Sequence, residues 1–381
     1  MTRHVLLIPT TACQAGCLYC FGPRYAQPIM SKQVLERAAA WVGTLEENEP
    51  LQVTFHGGEP LLAGVNFFQE ALPIFSQSRS KPVSFAAQSN LWRLDDAYCE
   101  LFKGYRVGLG TSLDGPEEMN DAQRGEGYFR RTMAGIETAR KHGLEVGCIV
   151  TFTAQSLPRW REVAAFFRHE GLNFAIHAAS PGLSGRGLAG QKAGWALSAE
   201  AYGELLVELL AFYTENLTTM RIPTLDAICR SVAAGKGGIC TFGNCLGKYL
   251  TISPDGSIYP CQRFVGQETF RLGSIFDEGG FEDSPAWQML ARRQENVKTE
   301  CGACAFLDIC LGGCPYDALA AGQTRDPFCA SYQRIFGEIV DRGVEEVLSD
   351  ENMALTQDDP DAEGGLFHKG RIIRLLRGDG R

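Results

Sequence analysis

Three cysteines stand close together near the start of the chain, in the segment TTACQAGCLYCFGP (residues 11–24). Cys13, Cys17 and Cys20 lie in the loop that follows a predicted strand, HVLLIP (4–9). An odd number of cysteines leaves one unpaired in a disulfide framework, and a structural zinc site takes four ligands. Three thiolates suit a soft metal such as iron, and three on a four-iron cluster leave the fourth iron open. A zinc site with a distant ligand and reduced core cysteines are the alternatives.

A second group of cysteines occupies the last third of the chain. Cys245 and Cys261 frame the pattern C-x10-G-x4-C, and Cys301 begins C-x2-C-x5-C-x3-C, which ends at Cys314. The eight members are Cys240, Cys245, Cys261, Cys301, Cys304, Cys310, Cys314 and Cys329. Two structural zinc ions would use eight such thiolates, and so would iron–sulfur clusters. The other three cysteines, Cys99, Cys148 and Cys229, fall in predicted helices or strands, and we expect them to be core residues.

Composition narrows the class of protein. The 381 residues are 45% hydrophobic and carry a net charge of −9, which indicates a globular chain of one large or two ordinary domains. The acidic balance argues against a nucleic-acid or membrane-surface partner. The sequence has no apolar run of membrane-spanning length and no signal-peptide core. We therefore expect a cytoplasmic protein whose thiols stay reduced.

The elements that must position the cysteines follow from hydrophobic periodicity. About six strand–helix repeats run to residue 179, which predicts an α/β fold with parallel strands. An open doubly wound sheet and a partial (β/α) barrel both fit this pattern. In either, the loops at the carboxyl ends of the strands build the site, and the first cysteines lie in such a loop.

After residue 179 the pattern changes. A Gly-rich loop (180–194) precedes two predicted helices, and KYLTISPDGSIYPC (248–261) predicts two strands around a Pro-Asp-Gly turn. The region from 236 onward has few long periodic runs before a helical pattern at 329–350, which favours a small region held by metal. An acidic linker and a basic tail follow, and we expect disorder there.

The first cysteine motif resembles the signature of the radical S-adenosylmethionine superfamily. HGGEPLL (56–62), SLDGP (112–116) and MNDAQR (119–124) resemble further elements of that family in the same order, over about residues 1 to 180. The resemblance implies a partial (β/α)6 barrel over 1–222, followed by a small cysteine-rich, metal-stabilised domain over 223–348 and a tail over 349–381. It also implies reductive cleavage of S-adenosylmethionine to a 5′-deoxyadenosyl radical that removes a hydrogen atom from the substrate.

The same resemblance assigns the cofactor-binding residues. Gly57 and Gly58 would allow close backbone approach, and Glu59 would help to hold the methionyl amino group. Arg124 would contact the methionyl carboxylate, although a solvated surface arginine is the simpler interpretation. The full set of cofactor-binding residues is Gly57, Gly58, Glu59, Ser89, Asn90, Ser112, Asp114 and Arg124, of which Ser112 and Asp114 would lie near the ribose.

The later cysteines resemble a SPASM domain, which carries auxiliary four-iron clusters, usually two. By resemblance, the distal cluster would be bound by Cys301, Cys304, Cys310 and Cys329. The proximal cluster would be bound by Cys245, Cys261 and Cys314, with Cys240 as the candidate fourth ligand. The resemblance therefore implies three [4Fe-4S] clusters in all, together with an electron donor such as flavodoxin or ferredoxin.

Members of this family with a SPASM domain mostly act on peptides and proteins. We expect a maturase that crosslinks, oxidises or epimerises a residue of a ribosomally made peptide. An anaerobic sulfatase-maturating enzyme, which forms formylglycine, is the alternative. In that class the base is an aspartate directly after the Pro-Cys pair, where this chain has Gln262, which cannot accept a proton at neutral pH. His177, at the end of the sixth predicted strand, is a candidate catalytic group or else a core histidine.

Two alternatives for the function and the mode of leader recognition stay open. An iron–sulfur electron-transfer protein would not need the GGEP and SLDGP elements, which favour an enzyme. A small-molecule or quinone-precursor substrate stays open. The first predicted strand begins at residue 4, so we expect leader recognition, if present, to fall to the core domain, the 180–194 loop, the tail or a separate protein.

Overall fold

Six parallel strands in chain order form the centre of the protein. The computed structural model describes residues 2–23, 28–45, 49–183 and 194–343. The strands are β1 (Arg3–Leu7), β2 (Leu51–Phe55), β3 (Val83–Gln88), β4 (Gly108–Ser112), β5 (Val146–Phe152) and β6 (Phe174–Ala178). Each strand pairs in parallel with the next one along the chain. This order confirms the predicted α/β fold with parallel strands, and it brings the carboxyl ends of all six strands to one edge.

Helices connect successive strands. They are α1 (Lys32–Gly43), α2 (Val65–Ser76), α3 (Asp96–Gly104), α4 (Glu117–Arg124), α5 (Tyr128–Lys141) and α6 (Trp160–Glu170). Ser31 caps α1, because its hydroxyl accepts a hydrogen bond from the backbone N–H of Val34 at 3.3 Å. Sequence periodicity did not predict α4, which is short and mostly polar.

The cysteine-rich region joins the same sheet. Strands β7 (Tyr249–Ile252) and β8 (Ser257–Tyr259) form the predicted hairpin, and β9 (Gly273–Ser274) pairs with β8. The sequence did not indicate that β7 would pair in parallel with β1, with Val5 opposite Leu250. The described strands thus form one sheet in the order β6-β5-β4-β3-β2-β1-β7-β8-β9. Cys245 and Cys261, which flank the hairpin, are therefore linked through the sheet to β1, the strand that precedes the first cysteine loop.

The remaining helices surround this extension. They are α7 (Ala199–Thr214), α8 (Pro223–Ala234), α9 (Pro285–Glu300), α10 (Leu307–Cys310), α11 (Pro315–Ala320) and α12 (Cys329–Arg342). Sequence periodicity did not predict α9, which has 16 residues. Only four of its residues are buried, so its apolar periodicity is weak. The predicted continuation of α12 to residue 350 lies outside the described residues, as does the tail.

One apolar core runs through both parts of the chain. It includes Val53 in β2, Leu206 in α7 and Phe336 in α12, and α12 packs directly against α7. The domain boundary at residue 222 stays a prediction, since packing is continuous across it. The three cysteines expected in the core, Cys99, Cys148 and Cys229, are all buried, which confirms that expectation. Among the described residues, no helix combines the length and the apolar character needed to cross a bilayer.

Candidate functional site

The first cysteine loop is held against the end of α4. The backbone N–H of Leu18 donates to the carbonyl of Gln123 at 2.9 Å, and that of Gly16 donates to the carbonyl of Arg124 at 3.3 Å. Burial raises the pKa of the Cys17 thiol to about 11, and the charges of Cys20 and Cys13 act in the same direction. The structure thus brings the three predicted ligands together at the carboxyl end of β1.

Asp114 is the centre of the polar network beneath this loop. Its carboxylate is fully buried and forms a bidentate ion pair with Arg124, with Nε–Oδ2 at 2.9 Å and Nη2–Oδ1 at 2.8 Å. It also accepts hydrogen bonds from the side chain of Gln123, the backbone of Thr151 and the hydroxyl of Tyr19. All of the described contacts of Asp114 therefore position protein groups, and its predicted place near the ribose stays a prediction.

Arg124 is directed towards the cysteines. Its side chain is 5% exposed, which excludes the simpler interpretation as a solvated surface charge. Nη1 lies 3.8 Å from the Sγ of Cys17, and the guanidinium stands 5.4 Å from the ring centroid of Tyr19. A fixed cation beside the open end of the cysteine loop suits a ligand with a carboxylate.

The two glycines of GGEP make room for the cysteine loop itself. A Cβ on Gly58 would stand 2.2 Å from the carbonyl oxygen of Ala12, and one on Gly57 would stand 2.9 Å from that of Thr10. The N–H of Gly58 donates to Thr10 at 3.1 Å, and the N–H of Glu59 donates to Ala12 at 2.7 Å. The close approach therefore joins two loops of this chain.

Glu59 organises the end of β3. Its buried carboxylate accepts hydrogen bonds from the hydroxyl of Ser89 at 2.7 Å, the N–H of Asn90 at 2.7 Å and the N–H of Leu61 at 3.0 Å. Burial raises the pKa of Glu59, and these hydrogen bonds oppose the shift. The described contacts of Glu59 and Ser89 are thus internal, and contact of either with a ligand stays a prediction.

Asn90 has a donor left over. Its Oδ1 accepts a hydrogen bond from the N–H of Trp92 at 3.0 Å, whereas its Nδ2 is buried and has no partner within the part of the chain that the structure describes. A buried N–H group without an acceptor is costly, so this donor is available to a ligand, and the predicted cofactor contact of Asn90 stays a prediction. Ser112, at the end of β4, accepts a bond from the side chain of Gln88 at 3.3 Å and stays a predicted ribose contact.

Two histidines lie at the same edge of the sheet. His177, in β6, has an accessible side chain that is nevertheless surrounded by protein, as expected for a side chain that lines a cavity, and its ring forms no hydrogen bond with the described residues. Burial lowers the pKa of His177 to about 4, with a further contribution from Arg263. His56, directly after β2, also has its pKa lowered to about 4 by burial and, to a smaller extent, by His177.

Sequence reasoning missed His56, although it directly precedes the GGEP element. Its Nδ1 accepts a hydrogen bond from the N–H of Gly57 at 2.8 Å. The proton of the neutral ring is therefore on Nε2, which makes His56 a hydrogen-bond donor. A histidine at the carboxyl end of a predicted parallel strand was the available indication.

The cysteines expected to bind the proximal cluster act on one another electrostatically. Burial raises the pKa of Cys245 to about 12, with contributions from Cys261 and Cys240, and the charge of Cys261 also acts on Cys314. The charge of Cys240 acts on Cys245 and Cys261, so it stays the candidate fourth ligand. Gln262 follows Cys261 directly, and its Oε1 is buried without a partner among the described residues.

The distal group encloses a cavity. Its four cysteines line a small cavity together with aromatic and aliphatic side chains. The lining residues include Cys301, Cys304, Cys310, Cys329, Phe306, Leu307, Tyr332 and Phe336. Four thiols around an otherwise apolar cavity are a suitable donor set for an iron–sulfur cluster.

Single metal ions suit these groups less well. Among the described residues, no three His, Cys, Asp or Glu side chains converge on a common point as a mononuclear ion requires. A zinc ion holds its sulfur ligands about 2.3 Å from the metal, whereas a cluster of several irons takes its thiolates from a wider perimeter. Sets of thiol donors at this density are typical of iron–sulfur clusters.

The class of protein follows from this fold and these sites together with two sequence matches. Residues 7–167 match the Radical SAM superfamily, and residues 240–305 match SPASM, an iron–sulfur cluster-binding domain. The chain belongs to the radical SAM superfamily and carries a SPASM region. Both conclusions confirm the family resemblance.

Individual relatives agree with this assignment. The chain is 42% identical over 239 residues to an uncharacterized protein of Methanothermobacter thermautotrophicus, covering 62% of this chain and 89% of the relative. It is 27% identical over 358 residues to the serine-type anaerobic sulfatase-maturating enzyme of Klebsiella aerogenes, covering 88% and 85%. The fold is similar to that of native anSMEcpe with bound AdoMet and Cp18Cys peptide, with a TM-score of 0.79, 23% identity and coverage of 89% and 97%.

The loop contact at Gly58 can be tested by substitution. Gly58→Ala should displace the first cysteine loop, because the new Cβ would collide with backbone that cannot move aside as a side chain can. Anaerobic reconstitution should then yield about four fewer iron atoms per chain than the parent protein. Gly16→Ala is the matched control, since Gly16 lies in the same loop and has no atom within 4 Å of its added Cβ. Equal iron content in the two variants would contradict this account.

Proposed function

We propose that this protein is a radical S-adenosylmethionine maturase that modifies a residue of a peptide or protein at the carboxyl edge of its sheet. One observation carries the proposal. The first cysteine group and two neutral imidazoles lie at that edge, and the Arg263 guanidinium connects this edge to the proximal cysteine group, with Nη2 3.3 Å from the Ser180 Oγ and Nη1 3.7 Å from the Cys314 Sγ. An electron carrier has no use for two neutral imidazoles beside a cysteine site.

The residues of the first site have separate tasks in this proposal. Cys13, Cys17 and Cys20 would hold the cluster, Arg124 would bind the methionyl carboxylate, and the unpaired Nδ2 of Asn90 would donate to the cofactor. When bound, the cofactor supplies a radical that removes a hydrogen atom from the substrate. Tyr19 and Asp114 keep the Arg124 side chain fixed, so that no reorganisation is needed when the ligand arrives.

When the residue is oxidised, it loses one proton and one electron after the hydrogen atom has been removed. His177 would accept the proton, and the iron–sulfur clusters expected at the later cysteine groups would take the electron. His177 is accessible, uncharged at neutral pH and not engaged in a hydrogen bond among the described residues, all of which a general base requires. The Nε2–H of His56 would donate to the same substrate residue and orient it. Gln262 cannot accept a proton, so it would at most position the substrate.

Two substrate classes fit this chemistry. A ribosomally made peptide is the substrate expected from the sequence. A sulfatase is favoured by the similarity to the enzyme of Klebsiella aerogenes, whose name states that it matures sulfatases. The glutamine at position 262 argues against the base of that class, whereas His177 supplies a replacement. The flavodoxin or ferredoxin donor stays a prediction in both cases.

Co-expression separates the two substrate classes. The protein should be produced with short peptides encoded in the same genome and, in parallel, with a sulfatase fragment that carries a Ser or Cys target. Mass spectrometry of each partner should show a change in one of them only. Loss of hydrogen mass from a short peptide supports peptide maturation, and an aldehyde at the Ser or Cys supports sulfatase maturation. No change in either mass calls for exchange of deuterium from solvent, which reveals epimerisation.

Iron content tests the three-cluster assignment. Anaerobically reconstituted protein should hold about twelve iron atoms per chain, and Cys13→Ala, Cys17→Ala and Cys20→Ala together should leave about eight. That triple variant should form no 5′-deoxyadenosine, because its remaining cysteine groups offer no open iron site next to Arg124. A parent value near four, or continued cleavage of the cofactor by the triple variant, would refute the assignment.

His177→Gln tests the proposed base. Modified substrate should fall by about 100-fold or more while 5′-deoxyadenosine still forms, because only the proton acceptor is lost. Since the folded-state pKa of His177 is lowered to about 4, product formation in the parent should be constant between pH 6 and 8 and should be lost from this group only as the pH falls towards 4. His142→Gln, on the surface, is the matched control. Parallel loss of both products would indicate a structural role instead.

A further inference from the structure

Arg263 connects parts of the protein that are far apart in sequence. Its guanidinium forms a bidentate ion pair with Asp317, with Nη1–Oδ2 at 2.6 Å and Nη2–Oδ1 at 2.7 Å. Nη2 also donates to the hydroxyl of Ser180, just after β6, at 3.3 Å. The guanidinium stands 5.5 Å from the ring centroid of Phe21, which directly follows the first cysteine group. One side chain thus contacts the proximal region, the last barrel strand and the first cysteine loop.

The ion pair lies beside Cys314, a predicted ligand of the proximal cluster. Nη1 of Arg263 lies 3.7 Å from the Sγ of Cys314, and the carboxylate of Asp317, paired with the same guanidinium, is near enough for its charge to act on that sulfur. In addition, Nε of Arg263 is buried and has no partner among the described residues. The positive charge of Arg263 and the negative charge of Asp317 therefore act in opposite directions on the Cys314 sulfur.

Neither side chain can easily turn away from Cys314. Asp317 is also fixed by the hydroxyl of Ser180 at 2.7 Å, and the guanidinium lies 4.1 Å from the ring centroid of Tyr316. The side chains of Arg263 and Asp317 are only 22% and 11% exposed, so solvent screens their charges weakly. Fixed charges of this kind act strongly on an adjacent redox group.

We propose that the Arg263–Asp317 pair sets the reduction potential of the cluster bound by the proximal cysteine group, with Arg263 favouring the reduced form and Asp317 the oxidised form. The inference rests on the proposed cluster at Cys240, Cys245, Cys261 and Cys314. Reduction adds one negative charge to a cluster, which a neighbouring cation stabilises and a neighbouring anion destabilises. The two charges nearly cancel in the intact pair.

The consequence is a pair of variants with opposite effects. Arg263→Gln leaves the Asp317 carboxylate alone beside Cys314 and should lower the midpoint potential of one cluster. Asp317→Asn leaves the guanidinium alone and should raise the same potential. The double variant restores a neutral pair that can still hydrogen-bond, so its potential should return close to that of the parent. A purely structural role would shift both single variants in the same direction, because each loses the same ion pair between Arg263 and Asp317.

The measurement is a redox titration followed by electron paramagnetic resonance. It uses full-length protein carrying Cys13→Ala, Cys17→Ala and Cys20→Ala, in which only the auxiliary clusters contribute to the spectrum. Arg159→Gln is the matched control, because Arg159 forms a comparable ion pair with Glu162 on the surface. If removal of one buried partner prevents cluster assembly, Arg263→Lys keeps the charge and should keep a potential close to that of the parent.

The outcomes are distinct. Opposite shifts in the single variants, recovery in the double variant and no shift in the control support the proposal. Equal shifts, shifts of the same sign or no shift in either single variant overturn it. A background protein that holds no auxiliary iron would instead refute the proposed function, and iron analysis reveals this before the titration begins.

Discussion

The buried carboxylate of Asp114 is the interaction on which the first site depends. It binds Arg124 at two points and also accepts hydrogen bonds from Gln123, Thr151 and Tyr19. The cysteine loop is in turn fastened to the backbone of Gln123 and Arg124. A charge without these partners would be very unfavourable in the interior, so the network forms as a whole or not at all. The position of the three cysteines is thereby tied to the end of α4 and to β5.

The second constraint is the close packing of the cysteine loop on GGEP. Gly58 permits contact between two backbones at a distance that any side chain would prevent, and Glu59 uses its carboxylate to fix the end of β3. The two elements therefore act as a scaffold for each other. Asn90 Nδ2 has no partner among the described residues, and Arg124 Nη1 lies against the Sγ of Cys17. The described contacts of Gly57, Gly58 and Glu59 are thus with other parts of the protein.

The cysteine-rich region is part of the same architecture because β7 pairs with β1. A small apolar cluster, which includes Ile8 after β1 and Tyr316 in α11, fills the space between the two regions. Arg263 then crosses from the proximal group to Ser180. The first and later cysteine groups are consequently held by one continuous sheet and one buried ion pair, as electron transfer between bound clusters would require.

The sequence by itself determined the six strand–helix repeats, the three groups of cysteines and the membership of the radical SAM superfamily, because periodicity and ligand spacing are local properties of the chain. Only the tertiary structure decided that β7 extends the barrel sheet, that α9 is a long helix, and that His56 faces the same edge as His177. It also showed that the described hydrogen bonds of the Asp114 and Glu59 carboxylates are with protein groups. These features depend on contacts between residues far apart along the chain, such as Arg263 with Ser180. Local sequence patterns cannot predict such contacts.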